Sequence, residues 1–189
     1  MNDQRAKRPA AFIDRDGTLI EEVNFLSRVD DLRIFPFTGD AIRRLKDNGY
    51  LIIVVTNQSG IGRSIYDRAA MQSIHDEMQR KLDNAIDAFF HCPHLPDEGC
   101  RCRKPGLGMI EAAAEQFGID MSRSWMIGDK KLDAQTGFNA GIRTAMVRTG
   151  YGRSHESELE RLPDVIADDL LAAVVQMLQL ENIVIGNTF

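Results

Sequence analysis

The sequence predicts an α/β protein with a mostly parallel, three-layer arrangement of one sheet and helices on both faces. Short apolar runs alternate with amphipathic helical segments along the whole chain. One run, Leu51-Ile52-Ile53-Val54-Val55, is five consecutive apolar residues, mostly β-branched, as a strand covered on both faces requires. Polar groups capable of chemistry follow several of these runs directly, at the sheet edge where open α/β folds bind ligands.

The totals frame this reading. A chain of 189 residues suffices for one well-buried domain, so we expect residues 1–189 to form a single unit. Its 43% hydrophobic and 27% charged content is ordinary for a globular protein. A net charge of −5 argues against a general nucleic-acid or membrane-surface binder. The start, Met1 to Arg8, is polar and charged, and no run approaches transmembrane length. A cytoplasmic, monomeric protein with no nucleic-acid or membrane partner is the expectation.

Ala10-Ala11-Phe12-Ile13 reads as the first buried strand, ended by Asp14-Arg15-Asp16-Gly17-Thr18. Ile20 to Arg33 is a polar connection. Thr38 to Gly49 is a helix with Ala41, Ile42 and Leu45 as its stripe, Thr38 or Asp40 as cap and Gly49 as stop. The Leu51 strand ends in Thr56-Asn57-Gln58-Ser59-Gly60, a polar loop that Gly60 and Gly62 make flexible. Asp67 to Ala85 is a long helix, with Met71, Ile74, Met78 and Leu82 at helical spacing. Asp87 to Phe90 is a weaker strand running into the segment Cys92 to Cys102. A helix over Gly108 to Phe117, a strand Trp125 to Ile127 and a helix through Gln135 to Ala140 follow. Strands Thr144 to Val147 and Val165 to Ala167 and a helix Leu170 to Leu180 complete the alternation, which implies right-handed crossovers. The apolar Ile183-Val184-Ile185 near the end could pack on the body or on a partner.

In a parallel sheet, Asp14 and Asp16, Thr56 and Asn57, and Asp129 and Asp133 would all lie on one edge. Clustered carboxylates repel one another, so a hard cation such as Mg²⁺ is their natural occupant. Lys104 could supply the fixed positive charge that a phosphate needs.

The motifs Asp14-x-Asp16-Gly17-Thr18, Thr56-Asn57, Lys104 and Gly128-Asp129-x-x-x-Asp133 resemble, in order, those of the haloacid dehalogenase (HAD)-like phosphatases. The resemblance spans most of the chain and implies a Mg²⁺-dependent phosphomonoesterase on a Rossmann-like sheet. It makes Asp14 the nucleophile that forms an aspartyl-phosphate. It makes Asp16 the group that protonates the leaving alkoxide and then activates water. By the same analogy Asp14, Asp129 and the backbone carbonyl of Asp16 hold Mg²⁺, and Thr56 and the Asn57 amide contact the phosphoryl oxygens. Asp133 is expected to orient Lys104 or a metal-bound water.

The cysteines are a separate signal. All three, Cys92, Cys100 and Cys102, lie within eleven residues of one another, an odd number that makes a poor disulfide framework. With His94 they offer three thiolates and an imidazole, which suits a closed tetrahedral Zn²⁺ site of structural type. His91 has no partner in that spacing and is not expected to ligate. Such a zinc would pin a loop and, just beyond it, the cations Arg103 and Lys104.

The zinc loop narrows the resemblance to the branch holding the heptose 1,7-bisphosphate 7-phosphatases and the histidinol-phosphate phosphatases. The motifs lie too close together for a large cap domain between them. Gln58-Ser59-Gly60-Ile61-Gly62-Arg63 and Glu22-Val23-Asn24-Phe25 look like the heptose enzymes, whereas the Cys-Pro-His-Leu-Pro spelling looks like the histidinol branch. A bisphosphate needs a second anion site, for which Arg103 and Lys130 are available, with Arg15 and Arg63 behind them. Glu21 and Glu22 could meet a substrate amine or sugar hydroxyls. The balance favours a small phosphorylated sugar, contacted by Arg15, Glu22, Asn24, Thr56, Asn57, Gln58, Ser59, Arg103, Lys104 and Lys130. Histidinol phosphate is the alternative substrate, and a non-catalytic zinc-stapled binding module is the alternative class.

Overall fold

The computed structural model describes residues 7–186. Six parallel strands make one sheet: β1 (Ala10–Ile13), β2 (Leu51–Asn57), β3 (Ala88–Cys92), β4 (Trp125–Gly128), β5 (Arg143–Val147) and β6 (Val165–Ala167). Their order is β3-β2-β1-β4-β5-β6. The chain thus starts in the middle, winds outward through β2 and β3, and returns to β4 on the other side of β1. This is a doubly wound order, and its turning point lies beside β1. The helices are α1 (Thr38–Asp47), α2 (Ser59–Gly62), α3 (Arg68–Lys81), α4 (Gly108–Phe117), α5 (Lys131–Ala140), α6 (Gly152–Glu156) and α7 (Leu170–Gly186).

The two faces explain why the strand sequences are apolar without alternation. Ala11 and Ile13 of β1 pack with Ile52, Val54 and Ile127 in a core shared with residues of α1, α3 and α7. Ala10 and Phe12 point the other way, into a second core with Ile53, Val55, Met126 and the α4 residues Met109 and Ile110. Because both faces are dry, each position of β1 gains burial free energy, roughly 1.5–3 kcal/mol for a large side chain. Residues 14–37 form a connection with one 3-10 turn at Val29–Asp31, in place of a folded cap domain. That connection is less polar in effect than its sequence suggests, since Leu19, Ile20, Leu26 and Leu32 are all buried. Among the described residues, no helix is long and apolar enough to cross a membrane.

Several local expectations give way to tertiary packing. The α3 helix ends at Lys81, not Ala85, because Asp83 and Asn84 take left-handed φ values of 52° and 55° and turn the chain. The Gln79 side chain holds that turn by donating to the Ile86 carbonyl at 2.8 Å. Neither Thr38 nor Asp40 caps α1: Phe37 is its N-cap without a side-chain hydrogen bond, and the Thr38 hydroxyl donates to the Leu19 carbonyl. Gly60 is not a flexible link but a close-approach site in α2, where a Cβ would stand 2.1 Å from the Tyr66 ring. The third strand is displaced to Ala88–Cys92, α5 begins earlier, at Lys131, and α7 runs to Gly186. How the side chains of Ile183-Val184-Ile185 pack lies outside the described residues.

Candidate active site

The carboxyl ends of β1, β2 and β4 are neighbours, with Ile13 paired to both Val54 and Ile127. The residues that follow therefore converge. Asp14 extends β1 by donating its backbone N–H to the Ile127 carbonyl at 2.9 Å, and the residue is 4% exposed. Lys104 enters from the loop before α4 and places Nζ 2.9 Å from Asp14 Oδ1 and 2.6 Å from Asp133 Oδ1. Burial alone would discharge Lys104, but Asp133 and Asp14 outweigh it and hold the ammonium above its ordinary value. Asp133 also caps α5, accepting from the Lys130 backbone N–H at 2.9 Å through its other oxygen.

Asp129 stands opposite. Its Oδ2 accepts from the Tyr151 N–H at 2.8 Å, while its Oδ1 is buried without a hydrogen-bond partner. Burial and the charge of Asp14 push its carboxyl up to about 8. An orphaned buried carboxylate oxygen of this kind calls for a cation. Asp14, Asp129 and Asp133 each bring one oxygen within 4.8 Å of the others, so the cluster can hold a metal ion. The turn after Asp16 is shaped to admit Asp129: Gly17 has φ +84°, and a Cβ on it would lie 2.4 Å from Asp129 Oδ2.

Asp16 is turned toward the protein. Arg15 Nε and Nη2 donate to its two oxygens at 3.0 and 2.9 Å, and Gln58 Nε2 donates at 2.9 Å. Burial works against its charge, yet Arg15, Lys130 and Gln58 together outweigh burial and hold the carboxyl below its usual range. Arg15 was expected at the substrate, but its side chain is 1% exposed and its guanidinium is engaged by Asp16, Gln58 and His75. Thr56 Oγ1 lies between Asp16 Oδ2, 3.5 Å away, and Gln58 Nε2, 2.8 Å away. The Asn57 side chain braces the backbone of Lys104: Oδ1 accepts from its N–H at 3.0 Å and Nδ2 donates to its carbonyl at 3.2 Å. Phosphate contact from Asn57 therefore falls to other atoms than its side-chain amide.

A cavity of about 180 Å³ reaches Asp16 and has Arg15, Glu22, Asn24, Asn57, Ser59 and Lys130 in its wall. Lys130 Nζ pairs with Glu22 at 2.9 Å and sits 5.0 Å above the Tyr151 ring. The same cavity has Phe25, part of the Glu22-Val23-Asn24-Phe25 stretch noted above, in its wall, together with Tyr66 and Tyr151, which the sequence did not mark. Phe25 adopts φ +56°, unusual for an aromatic residue, and Tyr151 is separated from the Asp129 motif by a whole strand. Arg103, the other expected second-anion contact, donates to the His94 carbonyl at 3.1 Å and so braces the loop before it.

That loop gathers Cys92, His94, Cys100 and Cys102. Cys92 Sγ is 3.5 Å from His94 Nδ1, 3.5 Å from Cys100 Sγ and 3.2 Å from Cys102 Sγ. Cys102 Sγ is 3.2 Å from His94 Nδ1 and 3.6 Å from Cys100 Sγ. His91 stays outside this group, with Arg68 as its neighbour at 3.5 Å.

Residues 101–173 match a family model described as HAD-hydrolase-like. The chain is 39% identical over 184 residues to D-glycero-D-manno-heptose-1,7-bisphosphate 7-phosphatase of Thermosynechococcus vestitus, covering 88% of this chain and 94% of that one. It belongs to that family of HAD-like phosphatases. A second relative of this HAD-like phosphatase, D-glycero-beta-D-manno-heptose-1,7-bisphosphate 7-phosphatase of Haemophilus ducreyi, is 35% identical over 178 residues, covering 88% and 97%. The crystal structure of D,D-heptose 1,7-bisphosphate phosphatase from B. bronchiseptica, complexed with magnesium and phosphate, matches with a TM-score of 0.84 at 35% identity. It covers 91% of this chain and 99% of that one. The HAD-like phosphatase fold is thus shared with that structure over nearly its whole length.

Proposed function

We propose that this phosphatase removes the 7-phosphate of D-glycero-D-manno-heptose 1,7-bisphosphate through an aspartyl-phosphate on Asp14. The observation that carries the reading is Lys104 Nζ, shared at 2.9 and 2.6 Å between Asp14 and Asp133 beside the polar cavity. Lys104 aims Asp14 through its ion pair to Oδ1, and its charge meets the phosphoryl oxygens as they develop negative charge. Asp14 forms the bond to phosphorus, which splits one hard transfer into two easier ones. Asp16 gives its proton to the departing alkoxide and then takes one from the hydrolytic water. Arg15 favours the ionised form of Asp16, and a phosphate dianion arriving beside it favours the protonated one. Glu22, Asn24, Ser59 and Lys130 are the groups we assign to the sugar and its second phosphate, and Thr56 and Lys104 to the reacting one.

Asp14, Asp129 and the Asp16 carbonyl would hold Mg²⁺, a fit supported by the orphaned Oδ1 of Asp129. When bound, Mg²⁺ supplies positive charge to the phosphoryl oxygens. We assign Zn²⁺ to the Cys/His group. A Zn–S bond of about 2.3 Å gives tetrahedral S···S edges near about 3.8 Å, close to the sulfur separations of 3.2–3.6 Å in the loop. Bound by Cys92, His94, Cys100 and Cys102, the zinc would have a structural role, closing the loop that carries Arg103 and Lys104. Purified protein is expected to carry about one equivalent of zinc. Cys100→Ser is expected to lose the metal and lower both melting temperature and activity; full activity with less than half an equivalent of zinc overturns the assignment.

The remaining expectations, a single cytoplasmic domain acting as a monomer in nucleotide-activated heptose and surface-polysaccharide synthesis, go with this reading. The continuous six-stranded sheet supports the single domain. The test of substrate is a parallel measurement of kcat/KM on heptose 1,7-bisphosphate and histidinol phosphate. We expect the sugar bisphosphate to exceed histidinol phosphate by at least about 10²-fold, since each pocket contact that only one of them makes contributes a factor of roughly 10 or more. Parity or a reversed order rejects the assignment.

A further inference from the structure

Behind Asp16 lies a buried network that the reaction as described does not use. Asp16 Oδ2 receives Arg15 Nε, Gln58 Nε2 and Thr56 Oγ1 at 3.0, 2.9 and 3.5 Å, and Oδ1 receives Arg15 Nη2 at 2.9 Å. The orientation of this carboxylate is therefore set chiefly by where the Arg15 guanidinium stands. That guanidinium is cut off from water, and its third nitrogen, Nη1, meets His75 Nε2 at 3.3 Å. Arginine has donors only, so His75 Nε2 must present a bare lone pair, with the imidazole neutral and its proton on Nδ1. His75 is 1% exposed on α3, and burial together with the Arg15 charge pushes it down to about 3. Its ring is stacked on Phe89 of β3, centroids 4.3 Å apart and planes at 14°. The acceptor therefore has one fixed direction. Gln58 completes the frame: its Oε1 accepts from Arg15 Nη2 at 3.1 Å and from the Tyr66 hydroxyl, which leaves its Nε2 to face Asp16.

We propose that His75 is a positioning residue for the phosphatase reaction, acting through Arg15 to hold the Asp16 carboxyl where it delivers its proton to the leaving oxygen. The inference rests on the phosphatase reading given above. Without an acceptor at His75, Arg15 Nη1 is a buried donor with no partner, and the guanidinium turns to find one, taking Asp16 with it. A displacement of about 1 Å in such a group costs on the order of 10²-fold in rate. The step affected is defined. The bond from Asp14 to phosphorus forms, and the bond from phosphorus to the ester oxygen breaks with its electron pair on that oxygen. The Asp16 proton ends on the same oxygen.

The dependence on the leaving group separates this role from a plain packing role. A sugar phosphate releases an alkoxide that needs the proton, whereas p-nitrophenyl phosphate releases a stable phenolate that does not. His75→Leu is expected to lower kcat/KM for heptose 1,7-bisphosphate by about 10- to 100-fold and to leave kcat/KM for p-nitrophenyl phosphate within about twofold of wild type. His75→Gln, which can return an oxygen acceptor to Arg15, is expected to recover most of the loss. Should His75→Leu fail to fold, His75→Met, similar in volume and without a nitrogen, is read in the same way against His75→Gln. A parallel fall on both substrates, or no fall on either, overturns the proposal. A wild-type protein that turns over neither ester removes the phosphatase reading itself, and the positioning role with it.

Discussion

Asp14→Asn is expected to lower kcat on the sugar phosphate by at least about 10³-fold, with the fold intact. The substitution is nearly isosteric. The amide oxygen can still accept from Lys104 Nζ, which stands 2.9 Å from Asp14 Oδ1, and Asp133 continues to neutralise that ammonium at 2.6 Å. What disappears is the anionic oxygen that attacks phosphorus, together with one negative ligand from the group formed with Asp129. Intact-mass analysis of the protein quenched during turnover adds a second readout: a phosphoryl adduct on the wild type and none on the variant. Full Mg²⁺-dependent activity in Asp14→Asn would remove the covalent mechanism.

The second large effect concerns Lys104. Replacing it with Met keeps the volume of the stem and deletes the charge. Asp14 and Asp133 then face each other at 4% and 1% exposure with no cation between them. Breaking a buried ionic group by removing one partner costs about 3–5 kcal/mol. In a domain of this size that lowers the melting temperature by roughly 10 °C, at about 2–4 °C for each kcal/mol. The loss of electrostatic stabilisation at the phosphoryl group should lower kcat/KM by a further factor of about 10²–10³. Urea or thermal unfolding measures the first effect and steady-state kinetics the second. An unchanged unfolding midpoint would mean that the two carboxylates are neutral or solvated, and the site as described would be wrong. The same logic links this position to the Cys/His loop, because the Lys104 backbone is gripped by Asn57 at 3.0 and 3.2 Å on one side and leaves the loop on the other.

Comparing the chain as read with the chain as folded separates two kinds of residue. Asp14 and Asp129 were legible because each directly follows an apolar strand or its closing glycine, and Asp16 and Asp133 because they stand two and four residues further on in the same two motifs. A doubly wound parallel sheet has one edge where such ends meet. The Cys/His group was legible for a similar reason: its four side chains lie within eleven residues of one another, so a short loop can bring them together. Arg15 was not. Beside two acids at an open sheet edge its charge suggested a ligand for phosphate; it borders the cavity, yet its guanidinium is taken by Asp16, Gln58 and His75, the last sixty positions away on a helix whose inward face is set by packing. For Asn57 the motif gave the position but not the task of the side chain, which grips the Lys104 backbone through Oδ1 and Nδ2. Leu82 kept the apolar period of α3, but the left-handed residues behind it ended the helix at Lys81.

By itself, then, the sequence determined the layers of the fold, the edge at which the acids converge and the residues of the Cys/His loop. All of these follow from local apolar period and short-range spacing. Only the tertiary structure decided which polar side chains face the cavity and which face inward. That choice depends on buried donors finding acceptors on distant elements, as Arg15 finds His75, and on a lysine from one loop being shared between acids from two others. Pairings of this kind have no period and no fixed spacing, because they are set by the packing of helices across the sheet.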